Sequence, residues 1–430
     1  MGVFVGQHRL SPGGLFQCGL LAILLAPGNR FEHVRNGLFD TVTGHTITRA
    51  IRHIRVAAAF MAKTLVVCCD GTNNQFDGYH TNVIRAYKVA RRHPGQLTYY
   101  DPGVGTMPEP WRKTKLAKRL SMLAGLIYGD GFFDNISDAY RFLIANYEPG
   151  DKIFLFGFSR GAYAARAVAA LLRSIGLLHP ASDNLLPYAQ RYWQRDFGAQ
   201  SPGGKVCAEF KTTLARTCPV HFIGVWDTVS SVGVINNFRT FPHTLHNPEV
   251  THVRHAVSID ERRSTFRQNL MLPATPTQDV KNVWFAGVHS DVGGGYPPEE
   301  SALAKLAFEW MIREAKECGL DVDDAAYNQE LRGVGAPPDP CGMLHVSLRG
   351  GWWLGELLPM KHYSWDDKKW HWRWLIGAFN QPRDIQRNAG KPFVSIHHSV
   401  IQRLNQMNDY RPVNIPNDEE TLRGMFRIED

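Results

Sequence analysis

The pentapeptide Gly157-Phe158-Ser159-Arg160-Gly161 restricts this chain more than any other feature, because of what flanks it. The apolar run Lys152–Phe156 precedes it without a gap, and the Ala-rich segment Ala162–Ile175 follows, stopping at Gly176. The first reads as a buried strand and the second as a helix. G-x-S-x-G between a strand and a helix is the pattern of a nucleophile elbow, a turn sharp enough to lift a serine hydroxyl above the end of a sheet. Its glycines have a steric reason. The turn brings strand and helix so close that side chains at 157 and 161 clash. The helix that begins there turns its N-terminal amides, and their partial positive charge, toward whatever lies beside Ser159.

The rest of the chain supplies elements of the same kind. Thr64–Cys69 is an apolar, β-branched run closed by Asp70-Gly71-Thr72-Asn73-Asn74, a strand and a polar turn. Asn82–Arg91 reads as a helix and Leu97–Tyr100 as a strand. Residues 104–131 mix glycines with basic residues and read as a loop or lid. Helical spacing predicts a helix over Asp134–Tyr147, with Asp134 as its N-cap and Pro149-Gly150 ending it. Strands are expected at His221–Val225 and Asn282–Val288, and a long amphipathic helix at Ser301–Cys318. Strands alternating with helices predict an α/β fold, α/β-hydrolase-like, with a mostly parallel sheet covered on both faces. The domain is expected to run over 61–430, with an irregular Trp-rich cap at about 325–390.

A serine hydroxyl needs a histidine to take its proton and a carboxylate to hold that histidine in one tautomer. In this fold the chain order is serine, acid, histidine. Asp227 closes the run Gly224-Val225-Trp226, His289 and Asp291 follow Ala286-Gly287-Val288, and His397 and His398 lie in a late strand. Two arrangements fit: Ser159, Asp227 and His289, or Ser159, Asp291 and one of His397 and His398. The oxyanion donors are expected to be the N–H of Arg160 and an N–H of Gly71 or Thr72. Asp-Gly-Thr after a strand also resembles the haloacid-dehalogenase phosphatases, but their nucleophilic aspartate is replaced here by Cys68. No metal-ligand cluster and no cofactor motif is found. Asp70 with Asn73 or Asn74 is the one place where a cation is conceivable.

Composition excludes other classes. Hydrophobic residues make up 44% and charged residues 20% of the 430, an ordinary globular balance. The net charge of +8 favours anionic surfaces such as phospholipid head groups, but no basic helix or binding module points to nucleic acid. Seven cysteines fit neither a disulfide framework nor a zinc site, which points to a reducing cytosol, with later export left open. The apolar stretch Leu15–Ala26 is shorter than the roughly 20 residues a membrane span needs. Residues 1–60 are read as an N-terminal extension, poorly ordered, or a mis-assigned start with Met61 as the first residue, and the rival reading is a cleaved leader. Six of the eleven tryptophans lie between Trp352 and Trp374, interleaved with Lys361, Lys368, Lys369 and Arg373. That mixture suits peripheral contact with a membrane interface. It suits equally a packed subdomain.

Four motifs in order carry a family resemblance: Cys-Cys-Asp-Gly-Thr-Asn-Asn, Gly-Phe-Ser-Arg-Gly-Ala-Tyr-Ala-Ala-Arg, Gly-Val-Trp-Asp-Thr-Val and His-Ser-Asp-Val-Gly-Gly-Gly-Tyr. They resemble the catalytic domain of the bacterial type VI secretion phospholipase effectors, over roughly residues 63–300. The resemblance implies hydrolysis of phospholipid acyl esters, with Ser159 as nucleophile, Asp227 as acid and His289 as base. Asp291 would then support the site from behind. The alternatives kept beside it are a cytosolic carboxylesterase acting on a small ester and a non-catalytic binding module of the same fold.

Overall fold

A computed structural model of the chain describes residues 62–71, 79–103, 131–196, 198–229, 241–263, 266–348 and 382–430, with backbone alone for 233–234, 237–238, 360–364 and 369–373. Among them, eight strands form one sheet: β1 (Thr64–Cys69), β2 (Gln96–Asp101), β3 (Lys152–Phe158), β4 (Val220–Trp226), β5 (Val250–Ser258), β6 (Asp279–Phe285), β7 (Val394–His397) and β8 (Arg427–Glu429). Their order is β8-β7-β6-β5-β4-β3-β1-β2, and every pairing is parallel. The helices that matter below are α1 (Asn82–Val89), α2 (Phe132–Asn146), α3 (Ser159–Ile175), α4 (His289–Gly293), α5 (Ala302–Glu317) and α6 (His398–Gln406).

The apolar runs become central strands because both faces of the sheet are covered. Leu65, Val67 and Cys69 pack on one face with α2 and α3. Val66 and Cys68, alternating with them, pack on the other with α1 and α5. Helix α3 is Ala-rich because it is enclosed almost all round: of its 17 residues, 15 are buried. The chain leaves β1 toward β2 on one side and returns to β3 on the other, so strand order reverses beside β1 and β3. The crevice outside the carboxyl ends of such a pair is where α/β sheets place their sites. The register Cys69↔Gly157 brings the end of β1 level with the elbow.

Several expected boundaries shift. Strand β3 runs on to Phe158, and α3 begins at Ser159 itself rather than at Ala162. Helix α2 starts two residues early, with Gly131 in a left-handed conformation (φ 85°) as its N-cap, and Asp134 falls inside the first turn. There its carboxylate still favours the positive end of the helix. Strand β5 escaped the sequence reading because it carries His252, Arg254 and His255, which break the apolar run. The buried Arg254 is matched by Glu314 and Asp279. Residues 1–60, the loop or lid at 104–130, Thr72 to Asn74 and the Trp352–Trp374 window lie outside the described residues, apart from the backbone of an antiparallel hairpin pairing 360–364 with 369–373. Among the described residues no helix is long and apolar enough to cross a membrane.

The elbow depends on Gly161. A Cβ there would stand 2.2 Å from the Cys69 carbonyl oxygen and 2.4 Å from that of Asp70, both backbone atoms. Gly161→Ala is expected to lower the thermal unfolding temperature, since overpacking costs about 1–3 kcal/mol or more. Gly424→Ala, where a Cβ meets nothing within 4 Å, is expected to leave it in place. Equal unfolding temperatures for Gly161→Ala and the parent would contradict the steric account.

Candidate active site

Ser159 stands at the first position of α3 with φ 58°, the left-handed region that a non-glycine residue adopts at a cost. Its hydroxyl is 2.8 Å from His289 Nε2. On the far side of the ring, His289 Nδ1 is 2.6 Å from Asp227 Oδ2. Asp227, directly after β4, is itself left-handed at φ 38°. His289 is not at a strand end, as expected, but opens the short helix α4, four residues beyond the end of β6. Three carboxyl-end turns thus deliver serine, imidazole and carboxylate in one line. Of the two arrangements open in the sequence, the structure assembles Ser159, Asp227 and His289. His397 is buried elsewhere, with Nδ1 2.8 Å from Ser399 Oγ and its ring stacked on Phe285. His398, beside it, opens α6.

The chemistry of that line is set by burial and by one arginine. Burial would raise the pKa of Asp227. The Arg383 charge and the bonds with His289 overturn this and hold the carboxyl well below the usual range. Arg383 Nη1 and Nη2 lie 2.5 and 3.0 Å from the two Asp227 oxygens. The same guanidinium donates to the carbonyls of Ser258 and Phe266. The Ser258 amide donates to Asp227 Oδ1 at 2.9 Å. Burial lowers the pKa of His289 below the ordinary histidine value, with Asp227 working against it. Its ring lies between Phe158, at 4.6 Å, and the edge-on ring of Phe266, at 4.8 Å. A neutral imidazole beside an ionised carboxylate keeps its proton on Nδ1, so Nε2 is free to accept from the Ser159 hydroxyl.

The other expected residues take distinct places. The Arg160 amide is in the first turn of α3, where N–H groups have no acceptor within the helix. The Gly71 amide donates to Asp70 Oδ1 at 2.7 Å, so it is already engaged and does not fit the expected oxyanion role. Thr72 lies outside the described residues. Asp70 Oδ2 accepts from the hydroxyls of Thr81, at 2.6 Å, and Tyr100, at 2.9 Å, which pins the β1 turn rather than presenting a free ligand. No group of three or more metal-ligating side chains occurs among the described residues. Asp291 accepts from the Val288 amide and faces His345 Nδ1 at 2.6 Å, so it braces α4 from behind. Within the glycine run, Gly293 answers a close approach: a Cβ there would meet the Phe158 ring at 1.9 Å.

Three contributors were missed in the sequence. Arg383 has no motif around it and reaches Asp227 only through the fold. Glu261 accepts from the His289 amide at 3.1 Å and from the amides of Arg262 and Arg263. Burial opposes its charge, but the bond and charge of Arg263 hold its pKa at about 2. Phe266 follows in the same turn. None of the three stands in a recognisable pattern.

Comparisons with known proteins bear on this site. A family model described as "T6SS, Phospholipase effector Tle1-like, catalytic domain" matches residues 63–314, which takes in Ser159, Asp227 and His289 but not Arg383. An uncharacterised protein of the yeast Saccharomyces cerevisiae is 33% identical over 225 residues, 49% of this chain. The match spans only 33% of that relative's length. Among solved structures, an uncharacterised protein from Pseudomonas aeruginosa is similar at 19% identity and a TM-score of 0.38, over 67% of this chain and 51% of that one.

Replacing Arg383 by methionine leaves the buried Asp227 charge without its main counter-charge. The expected loss of stability is about 3–5 kcal/mol, read by denaturant unfolding. Removing that cation also makes the imidazolium less unfavourable, so the His289 ring is expected to titrate at higher pH by NMR. An unchanged unfolding midpoint together with an unchanged His289 titration would contradict the clamp.

Proposed function

The chain belongs to the Tle1-like family of type VI secretion phospholipase effector catalytic domains, and from that premise we propose that it is a serine hydrolase cleaving acyl esters of lipids. The observation that carries this reading is the line from Ser159 Oγ through His289 to Asp227, with separations of 2.8 and 2.6 Å. His289 Nε2 takes the hydroxyl proton as Oγ attacks the ester carbonyl carbon. The tetrahedral oxyanion receives the Arg160 amide and the field of the α3 N-terminus. Collapse breaks the ester C–O bond, and the imidazolium returns its proton to the leaving alcohol. Water repeats the cycle and releases the fatty acid, with His289 again as base. Asp227 stays ionised throughout and steadies the imidazolium.

Two further features support a lipid substrate and a peripheral approach to it. The net charge of +8 favours an anionic surface, and the Trp352–Trp374 window combines tryptophan with Lys and Arg. The catalytic unit is read as continuing well past residue 314, because Arg383 holds Asp227.

Vesicle hydrolysis and labelling by a fluorophosphonate test the reading. Ser159→Ala and His289→Ala are expected to lose at least about four orders of magnitude in kcat, and Asp227→Asn a comparable factor. His397→Ala is expected to stay within a few-fold of the parent. An active His289→Ala variant, or a folded parent protein that resists labelling, would sink the assignment. The pH profile adds a sign. Protonated His289 cannot act as base, so kcat/KM is expected to fall as pH drops through a pKa below the ordinary histidine value, as burial dictates. An acid limb at or above that value would contradict the buried, neutral base.

A further inference from the structure

Six arginines are buried among the described residues. Five have work that the structure displays. Arg85 bonds Asn82, Arg166 bonds the Asn269 carbonyl, Arg254 bonds Asp279, Arg383 bonds Asp227, and Arg403 bonds two carbonyls. The sixth is Arg160, the residue directly after the nucleophile. It is 8% exposed. Its Nη2 is completely covered and has no hydrogen-bond partner. No carboxylate among the described residues offsets its charge, and burial alone pushes its pKa down to about 10.

A buried cation without a partner costs several kcal/mol in general, and proteins keep one mainly where something else supplies the counter-charge. The position says what that is. The Cα of Arg160 is about 3.8 Å from that of Ser159, and both stand in the first turn of a 17-residue helix whose positive end faces the crevice. A negative group carried on a molecule whose ester lies against Ser159 would approach the start of α3, where Arg160 stands. A guanidinium, planar and forked, matches the oxygens of a phosphate diester, the anion that phospholipids share.

We propose that the Arg160 side chain is the phosphate-recognising group of the site, pairing with the phosphodiester of a phospholipid whose acyl ester meets Ser159. This rests on the lipid-hydrolase reading above and gives it a specificity residue. The Arg160 backbone amide serves the oxyanion. Its guanidinium serves substrate choice, and the two are separable by substitution, since Arg160→Gln and Arg160→Lys keep the amide.

The test uses the full chain and both variants. Hydrolysis of phosphatidylglycerol vesicles is compared with that of dispersed diacylglycerol bearing the same acyl chains. The expected result is a fall of about tenfold or more in the ratio of the two kcat/KM values for Arg160→Gln, with partial recovery in Arg160→Lys, which keeps charge but loses the fork. In parallel, inorganic phosphate is expected to raise the unfolding temperature of the parent and not that of Arg160→Gln. Without phosphate, Arg160→Gln is expected to be no less stable than the parent, because it removes an uncompensated buried charge. An unchanged ratio would overturn the proposal. If phosphate protection were lost but the ratio held, a free phosphate rather than a lipid head group would occupy Arg160, which also overturns it. A variant destabilised in the absence of phosphate, with both esters affected alike, would make Arg160 structural and overturn it too. Failure of the parent to hydrolyse either ester would defeat the hydrolase reading instead, and the phosphate shift alone would then decide whether Arg160 binds a phosphoryl anion.

Discussion

The narrow gap between the end of β1 and the start of α3 is the constraint from which the rest follows. Gly161 sits in it, and Gly157 sits in the equally narrow gap between β3 and α3. A Cβ at Gly157 would press on the backbone of Gly161 and Ala162, and one at Gly161 on the carbonyls of Cys69 and Asp70. Because both gaps are closed to side chains, the chain can pass from strand to helix in one residue. That residue, Ser159, bears the strain at φ 58°. The same turn sets the hydroxyl, the Arg160 amide and the positive end of α3 on one rim. The Ala-rich sequence of α3 is a consequence, since only small side chains let a helix run so close beneath the sheet.

Around that rim, charge is balanced by a small number of strong pairs. Asp227 is shared between His289 and Arg383, so its carboxylate stays ionised while its pull on the imidazole is divided. Glu261 holds the backbone of His289 and the turn that carries Phe266. The aromatic rings of Phe158 and Phe266 keep the imidazole dry. Dry surroundings lower its pKa and leave it neutral, the state that the proposed base requires. Arg160 is the exception to the balance, which is why an anionic group on the substrate is assigned to it.

Much of this was legible in the sequence. The elbow, β1, β3 and α5 could be read because apolar runs, glycines and helical spacing agree there. Strand β5 could not, because its buried polar residues find their partners only in the folded state. The residues themselves left two serine–acid–histidine lines open. The family resemblance favoured Asp227 and His289, and the folded geometry brings those two to Ser159. Gly71 misled, since a glycine after a strand suggests a free amide and the neighbouring Asp70 takes it. Arg383 was invisible: 156 residues separate it from Asp227, and nothing in Gln381-Pro382-Arg383-Asp384 advertises a buried clamp.

The most direct measurement is a crystal structure of the protein after reaction with an alkyl fluorophosphonate. The account expects phosphorus bonded to Ser159 Oγ, with one phosphonyl oxygen about 2.7–3.1 Å from the Arg160 amide and His289 Nε2 facing the adduct. Phosphorus on another residue, or an adduct on Ser159 whose oxygen points away from that amide while a different histidine faces it, would contradict it.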